Sequence, residues 1–162
     1  MLLSTAHNRD RGFTLTESLI IIVIIGLLTA IAIPSFFALL NNKKVENALV
    51  RVEWALKEAQ RESIKNSKNC VVTIPAGVDQ QLTSNCLASS DWSIQAINIT
   101  RPTSLATLTF DFKGRINTPG NQGIIVLSLP DGSGSQKCLA ISTGIGLMRT
   151  GNYDGSNCNT SQ

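Results

Sequence analysis

The most apolar part of the chain is one uninterrupted stretch near its start. No charged side chain occurs from Leu19 to Leu40, where isoleucine, leucine, valine and phenylalanine predominate. At about 1.5 Å of rise per residue, a helix of this length would span the roughly 30 Å hydrocarbon core of a bilayer. The stretch is also longer than the apolar region of a secretory signal peptide, which usually has about 7–15 residues. The pattern therefore predicts a membrane-spanning helix.

After Asn42 the pattern becomes that of an amphipathic helix. Apolar residues recur at spacings of three and four, which indicates a helix packed on a sheet by one face. Pro34 is the only proline before about Lys65, so we predict one helix over residues 13–65. Trp54 lies off the centre of the apolar stripe and is expected at the edge of the core. The stripe itself comprises Val45, Ala48, Leu49, Val52, Ala55, Leu56 and Ala59.

Beyond Ser67, short β-type runs alternate with turn residues. Alternation should place Ile97 and Ile99 on one face of a strand and Ile94 on the other. The run from Pro130 to Gly132 predicts a turn, because proline presets φ and glycine accepts a positive φ. The fold class is therefore α+β, with a long N-terminal helix packed on an antiparallel sheet. The expected strands cover residues 70–75, 92–100, 106–113, 115–118, 123–129, 137–143 and 145–149.

Composition and charge disfavour several classes of function. The 162 residues include 14 basic and 11 acidic side chains, and no block of like charges indicates a polybasic nucleic-acid-binding protein. The single histidine, His7, precedes the apolar run, so histidine chemistry in the folded body is not available. The part after residue 67 carries dispersed aspartates and no glutamate. We expect no enzymatic activity, no cofactor and no metal site.

The four cysteines all follow the apolar run, at Cys70, Cys86, Cys138 and Cys158. They show no Cys-x-x-Cys spacing and no accompanying histidine, which disfavours a zinc site. Disulfides formed in an oxidising compartment are the better interpretation, and they place this part of the chain outside the cytoplasm. Four cysteines allow three pairings. As a hypothesis we take the sequential one, which closes short loops between neighbouring strands.

Basic residues lie on both sides of the apolar run. Arg9 and Arg11 precede it, and a larger set follows within about twenty residues. Counted by the positive-inside rule, the larger set would belong in the cytoplasm, which disagrees with the cysteines. We give priority to the cysteines, because the later basic residues belong to a folded region. These later residues are Lys43, Lys44, Arg51 and Lys57.

The residues just before the run form a specific motif. A short polar segment with two arginines ends in Gly12, and Phe13 follows it. Glu17 is the only charged side chain from Phe13 to Asn42, and Pro34 lies inside the apolar run. This combination resembles the type IV prepilin signature, in which a basic leader ends in glycine and the mature chain begins with phenylalanine and has glutamate as its fifth residue.

The resemblance implies a maturation and assembly pathway. A prepilin peptidase of the inner membrane would cleave between Gly12 and Phe13, and the new amino group of Phe13 would be methylated. Glu17 would serve assembly by pairing with the terminal amine of a neighbouring subunit, and Pro34 would let the helix unwind locally. The implied organisation is a leader at residues 1–12, a transmembrane and filament-core helix at 13–42, an amphipathic half-helix at 43–66 and a β-rich periplasmic head at 67–162.

Two stretches of the head, residues 109–115 and 138–151, resemble the motifs of the pseudopilin H and FimT/FimU minor-pilin group. The implied function is a structural subunit, a minor pilin or pseudopilin, of a type IV pilus or a type II secretion pseudopilus. Its implied partners are other pilin or pseudopilin subunits, the prepilin peptidase, an inner-membrane assembly platform and membrane lipid.

Two alternatives remain open, a major pilin and a DNA-uptake pilin. The latter would contact DNA through Arg115 and Arg149. Members of the group carry Gly-Arg-x-Arg where this chain has Gly146, Leu147, Met148 and Arg149, so one arginine is missing. We therefore expect weak DNA binding at most.

Overall fold

The computed structural model describes residues 13–87, 92–116 and 123–160. The chain divides into two compact units, Met1–Phe37 and Ala38–Gln162, and each is described by itself. The proposed leader, including Gly12, lies outside the described residues. The predicted division at residues 42 and 66 concerns function and stays a prediction.

A single helix, α1, covers Leu15–Lys65 and contains Pro34. In the second unit its apolar stripe is buried, as the spacing predicted. The helix ends in a Schellman motif, in which Ser67 has a φ of 52° and its N–H bonds to the Ile64 carbonyl. The N–H of Lys68 bonds to the Ser63 carbonyl, so the last turn leaves few carbonyls unpaired.

In the described part of the chain, nine strands form two antiparallel sheets. The first sheet has the order β3-β1-β5, and the second has the order β2-β4-β6-β7-β8-β9. The strands are β1 Cys70–Thr73, β2 Gly77–Gln81, β3 Thr83–Ser84, β4 Ser93–Thr100, β5 Thr107–Phe110, β6 Gly123–Ser128, β7 Lys137–Ile141, β8 Met148–Tyr153 and β9 Cys158–Thr160.

One hydrophobic core joins the helix to both sheets. Val52 and Leu56 of α1, Phe110 of β5 and Ile125 of β6 are all fully buried in the same cluster. The fold is therefore the predicted α+β arrangement of a long helix and antiparallel sheets. At about 25 cal/mol per Å² of apolar surface removed from water, this burial is the main term that stabilises the head.

The predicted alternation in β4 was wrong at Ile94, which is buried on the same side as Ile97 and Ile99. Val78 pairs with Asn98 and the next pair joins Gln80 to Ile94, so two steps along β2 match four along β4. This bulge adds residues to β4 and changes the face that the following side chains occupy. A side-chain contact holds it, since the Ala96 N–H donates to the Asp79 carboxylate at 2.6 Å.

Three short strands were not predicted, namely β2, β3 and β9, and the last expected strand begins three residues later than predicted, at Met148. The strands β2, β3 and β9 are mostly polar, so hydrophobic alternation gives no signal for them.

The expected core-edge position of Trp54 was also wrong, because its side chain is 61% exposed. The turn at Pro130–Gly132 is present, with a φ of 71° at Gly132 and a hydrogen bond from its N–H to the Leu129 carbonyl.

Two disulfides join the four cysteines. Cys70 on β1 bonds to Cys86, which follows β3. Cys138 on β7 bonds to Cys158 on β9, and β8 lies between those strands in the sheet. These are the sequential pairs of the hypothesis. Each closes a loop of moderate length, which in the chain-entropy account stabilises the head by roughly 3 kcal/mol.

Candidate assembly site

The start of α1 is a capped helix terminus. Thr14 directly precedes the helix, and its Oγ1 accepts a hydrogen bond from the Glu17 N–H at 3.2 Å. Thr14 is thus the N-cap and Glu17 the third helical residue, the spacing of a capping box. The Glu17 carboxylate also lies in the first turn, where it complements the positive end of the helix dipole. Glu17 therefore has a local reason to be acidic that the sequence analysis missed.

The surface around Glu17 is apolar and open. Every described residue from Phe13 to Leu40 is exposed, and Phe13 itself is 68% exposed. By length and composition this helix is able to cross a membrane. Since Glu17 is the only charged side chain in this stretch, covering the helix would bring one carboxylate into apolar surroundings. Such a group is costly there without a partner of opposite charge.

Two residues weaken the middle of the apolar helix. Pro34 has no N–H, so the helix passes through it without the hydrogen bond that would reach the Ala30 carbonyl. Gly26 has low helix propensity, and a Cβ placed there would meet no other atom within 4 Å. The Thr29 hydroxyl donates to the carbonyls of Ile25 and Gly26, at 2.9 and 3.0 Å. Packing within the chain gives no reason for the glycine.

In the head, the two motif stretches meet at one residue of α1. The Gln60 side-chain amide donates to the carbonyl of Gly114 at 2.7 Å and to that of Ile145 at 3.3 Å. Ile116 and Gly144 exchange hydrogen bonds of 3.0 Å in both directions, which ties the two loops together. The structure thus brings the two motifs together, although no pattern in the sequence indicated that Gln60 links them.

Glycine is required at the meeting point. Gly114 has a φ of 73°, and a Cβ there would lie 2.7 Å from the Ile64 Cδ1. Gly146 has a φ of 68°, and its Cβ would lie 2.9 Å from the Gly114 carbonyl oxygen. A side chain at either position would combine a left-handed backbone with a steric overlap. These glycines let the loops approach the helix.

The loop before Gly114 is organised by Asp111. Its carboxylate accepts hydrogen bonds from the N–H groups of Lys113 and Arg115 and from the Arg115 guanidinium, at 2.9, 2.8 and 3.1 Å. Burial acts to raise the pKa of Asp111, but these hydrogen bonds and the positive charge of Arg115 outweigh it and lower the pKa. Arg115 therefore has a partner within the head.

The second arginine of the DNA hypothesis lies elsewhere on the head. Arg149 is exposed on β8, where it pairs in register with Ala140. DNA binding by the two arginines stays a prediction.

Comparison with known proteins decides the family. The prokaryotic N-terminal methylation motif matches residues 7–33, which include Phe13 and Glu17. The type IV narrow pilus major component PilA5 of Thermus thermophilus is 34% identical over 97 residues, a match that covers 51% of this chain and 84% of that protein. This chain belongs to the type IV pilin family. The pilin is also 43% identical over 61 residues to the type IV major pilin protein PilA of Myxococcus xanthus, and that match covers 38% of this chain and 27% of the relative.

The pilin also shares its fold with a solved structure. The crystal structure of the type IV minor pilin FimU from Pseudomonas aeruginosa matches with a TM-score of 0.52 and 16% identity, over 74% of this chain and 95% of that one. The helix-and-sheet fold that the resemblance implied is therefore confirmed. Within the described residues of the pilin, no group of three or more histidine, cysteine or acidic side chains is arranged to hold a metal ion.

Proposed function

We propose that this pilin is a low-abundance structural subunit of a type IV pilus, and that it enters the membrane and then the filament through α1. The observation that carries the proposal is the exposed apolar surface of residues 13–40, which overlaps the methylation motif at residues 7–33 and contains one carboxylate. An apolar helix of this size is stable only when its surface is removed from water. A bilayer surrounds it first, and neighbouring pilin helices surround it after assembly.

Maturation follows from the proposed leader. The prepilin peptidase removes Met1 to Gly12 at the cytoplasmic face of the inner membrane, and the amino group of Phe13 is methylated. The mature pilin is a single-pass protein with its head in the periplasm, an oxidising compartment that suits the two disulfides. An inner-membrane assembly platform then extracts the subunit, and local unwinding near Gly26 and Pro34 accompanies this step.

Glu17 pairs with the terminal amine of Phe13 of a neighbouring subunit. An unpaired carboxylate inside a bundle of apolar helices would cost several kcal/mol, and an adjacent ammonium group offsets that desolvation. The capping interaction of Thr14 with the Glu17 backbone N–H fixes Glu17 in the first turn, four residues from the Phe13 amine of the same chain. Subunits packed side by side would then exchange these charges.

The head supports a minor rather than a major subunit. Its fold is that of the minor pilin FimU, although both sequence relatives are named as major components, of a type IV pilus and of a narrow pilus. A major pilin would dominate sheared filaments, whereas a minor pilin would be a trace component. A secretion pseudopilin would instead co-purify with secretion components.

DNA uptake and catalysis are less well supported. Arg115 lies in a loop and is engaged by Asp111, and Arg149 lies on β8, so neither alone offers more than a few phosphate contacts. A few contacts give little binding at physiological salt. The role is structural, without a cofactor.

The test separates the charge of Glu17 from its role in the helix cap. Glu17→Gln keeps a side chain suited to the capping box but removes the charge, whereas Thr14→Ala removes the cap and keeps the charge. We expect the Glu17→Gln protein to be cleaved, methylated and membrane-inserted but absent from sheared filaments. Thr14→Ala should still be incorporated, because the carboxylate remains.

Intact-mass measurement of the membrane fraction is the control, and it should show loss of residues 1–12 and gain of one methyl group. Normal incorporation of Glu17→Gln would contradict the charge-pairing role. A membrane form that keeps its leader in a host with the peptidase would contradict the assignment as a type IV pilus subunit.

A further inference from the structure

A groove of about 530 Å³ lies in the second unit, between residues 44–51 of α1 and the start of β4. Lys44 and Arg51 line it from the helix, and Ser93 and Gln95 line it from the strand. Both charged residues of the lining are cationic, and no aspartate or glutamate is among the described lining residues. The groove is therefore suited to an anion.

The cations of the groove differ from the other basic residues of the helix. Lys43 and Lys57 form ion pairs with Glu46 and Glu53, at 2.7 and 2.6 Å. Among the described residues, neither Lys44 nor Arg51 takes part in such a pair.

A hydrogen bond holds one cation of the groove in place. Arg51 donates from Nη1 to the Ser93 carbonyl at 2.8 Å. This contact orients the guanidinium, and the group has further N–H donors for a ligand.

The position of the groove along α1 suggests the source of the anion. Lys44 follows the last residue of the apolar run, Leu40, by four residues, which is about 6 Å along a helix. The headgroup layer of a bilayer is about 5–8 Å thick on each side of the hydrocarbon. Helical side chains lean toward the helix N-terminus, so Lys44 reaches back toward the membrane, while Arg51 begins about 10 Å further along α1 and is held at the Ser93 carbonyl.

We propose that this groove binds the phosphodiester headgroup of an anionic phospholipid. Lys44 Nζ and the free donors of Arg51 bind the phosphate oxygens, and the amides of Asn47 and Gln95 are placed to bind headgroup hydroxyls. A zwitterionic choline headgroup has the same phosphate but adds a cation that Lys44 and Arg51 repel. The groove also gives a role to Lys44 and Arg51, two of the four basic residues that disagree with the positive-inside rule. The inference rests on the membrane-inserted stage of the proposed function and on no step of filament assembly.

The experiment uses the full-length pilin in a non-ionic detergent. Native mass spectrometry would count adducts of dihexanoyl phosphatidylglycerol and dihexanoyl phosphatidylcholine at matched concentrations, and inorganic phosphate would be added as a competitor. Since each basic residue near a lipid surface is worth about a fivefold change in affinity, we expect phosphatidylglycerol to bind about tenfold or more tightly than phosphatidylcholine. Lys44→Gln should reduce that preference about fivefold, and Lys44→Gln with Arg51→Gln should abolish it.

The matched control is Lys57→Gln with Arg61→Gln, which removes two charges of α1 that do not line the groove. It should keep the preference, and an equal loss there would overturn the site in favour of general charge attraction. Unchanged binding by Lys44→Gln, whose fold does not depend on the Arg51 contact, would also overturn it. Displacement of the lipid by a few millimolar phosphate would overturn the lipid proposal, because it would show that the groove binds the free phosphate ion instead. Glu17→Gln should bind lipid normally, so failure of the assembly role would not be mistaken for failure of this site.

Discussion

The two units of this pilin differ in whether leucine and isoleucine side chains of α1 are exposed or buried. From Phe13 to Phe37, leucine and isoleucine side chains are exposed all around the helix. In the second unit the same helix buries Leu49, Val52 and Leu56 along one stripe and exposes charged residues on the other side. Composition already separates the two halves of α1, because charged side chains are absent from residues 19–40 and frequent from residue 43 to residue 65. The period of the apolar residues adds which face of the second half is buried, because only a stripe leaves a polar face for water.

This difference separates two sources of stability. The head is stabilised by its own core, whereas the apolar half of α1 contributes nothing to a core of the described chain and depends on lipid or neighbouring subunits for cover. Substitutions in the head should therefore change unfolding of the isolated protein. Substitutions in the apolar half should change only its interactions with other molecules.

The largest expected effect comes from matched leucine substitutions in the two halves. Leu56→Ala should lower the free energy of unfolding of the head by about 2–5 kcal/mol, because a fully buried side chain leaves a cavity. Leu28→Ala, the control in the apolar half, should change it by less than about 0.5 kcal/mol, because Leu28 is 63% exposed. Urea unfolding of the full chain in detergent, followed by tryptophan fluorescence, makes the comparison. Equal losses would show that the two units share one core.

The sequence predicted the parts of the fold whose pattern is regular. The helix, its buried stripe and the turn at Pro130–Gly132 follow from periodicity and turn chemistry. The position of Ile94 was wrong because the bulge depends on a contact between Asp79 and Ala96 on different strands. Such a contact exists only after the strands have paired, and no local pattern encodes it.

The second prediction concerns the junction of the two head motifs. Gly146→Ala should destabilise the head by about 2–4 kcal/mol, since it combines a left-handed backbone with an overlap against the Gly114 carbonyl oxygen, a backbone atom that cannot turn away. Gly132→Ala is the control, because its φ of 71° is similar but no atom lies within 4 Å of the added Cβ. It should cost about 1–2 kcal/mol. Unfolding midpoints that fall equally in both variants would show that the two head loops do not approach each other tightly.

The candidate sites were predictable to different extents. Glu17 was found because a lone carboxylate beside an apolar run is conspicuous, and the Thr14 cap was available in the same spacing but was missed. Gln60 carried no signal, since a glutamine on a helix is ordinarily a solvated residue. Its role depends on two loops that are distant in sequence, at Gly114 and Ile145.

The smallest expected effect is a pH dependence that belongs to the head alone. The pKa of Asp111 is lowered in the folded head, so its carboxylate stabilises the fold above the ordinary value of 3.8. That contribution is lost as the pH falls through the lowered pKa. Asp111→Asn keeps an oxygen that can accept the N–H groups of Lys113 and Arg115 but removes the charge.

We therefore expect Asp111→Asn to be less stable than the parent pilin at pH 7, with a difference that shrinks below about pH 4 as the parent carboxylate is protonated. Urea midpoints of both proteins at pH 7, 5 and 3 measure it. Arg115→Gln should show the same pH trend, because it removes the cation that Asp111 faces at 3.1 Å. A difference that grows toward low pH would mean that burial, which acts to raise the pKa of Asp111, outweighs the hydrogen bonds. In that case the carboxylate would destabilise its own loop, and the hydrogen bond from Gln60 of α1 to the Gly114 carbonyl would have to hold that loop in place.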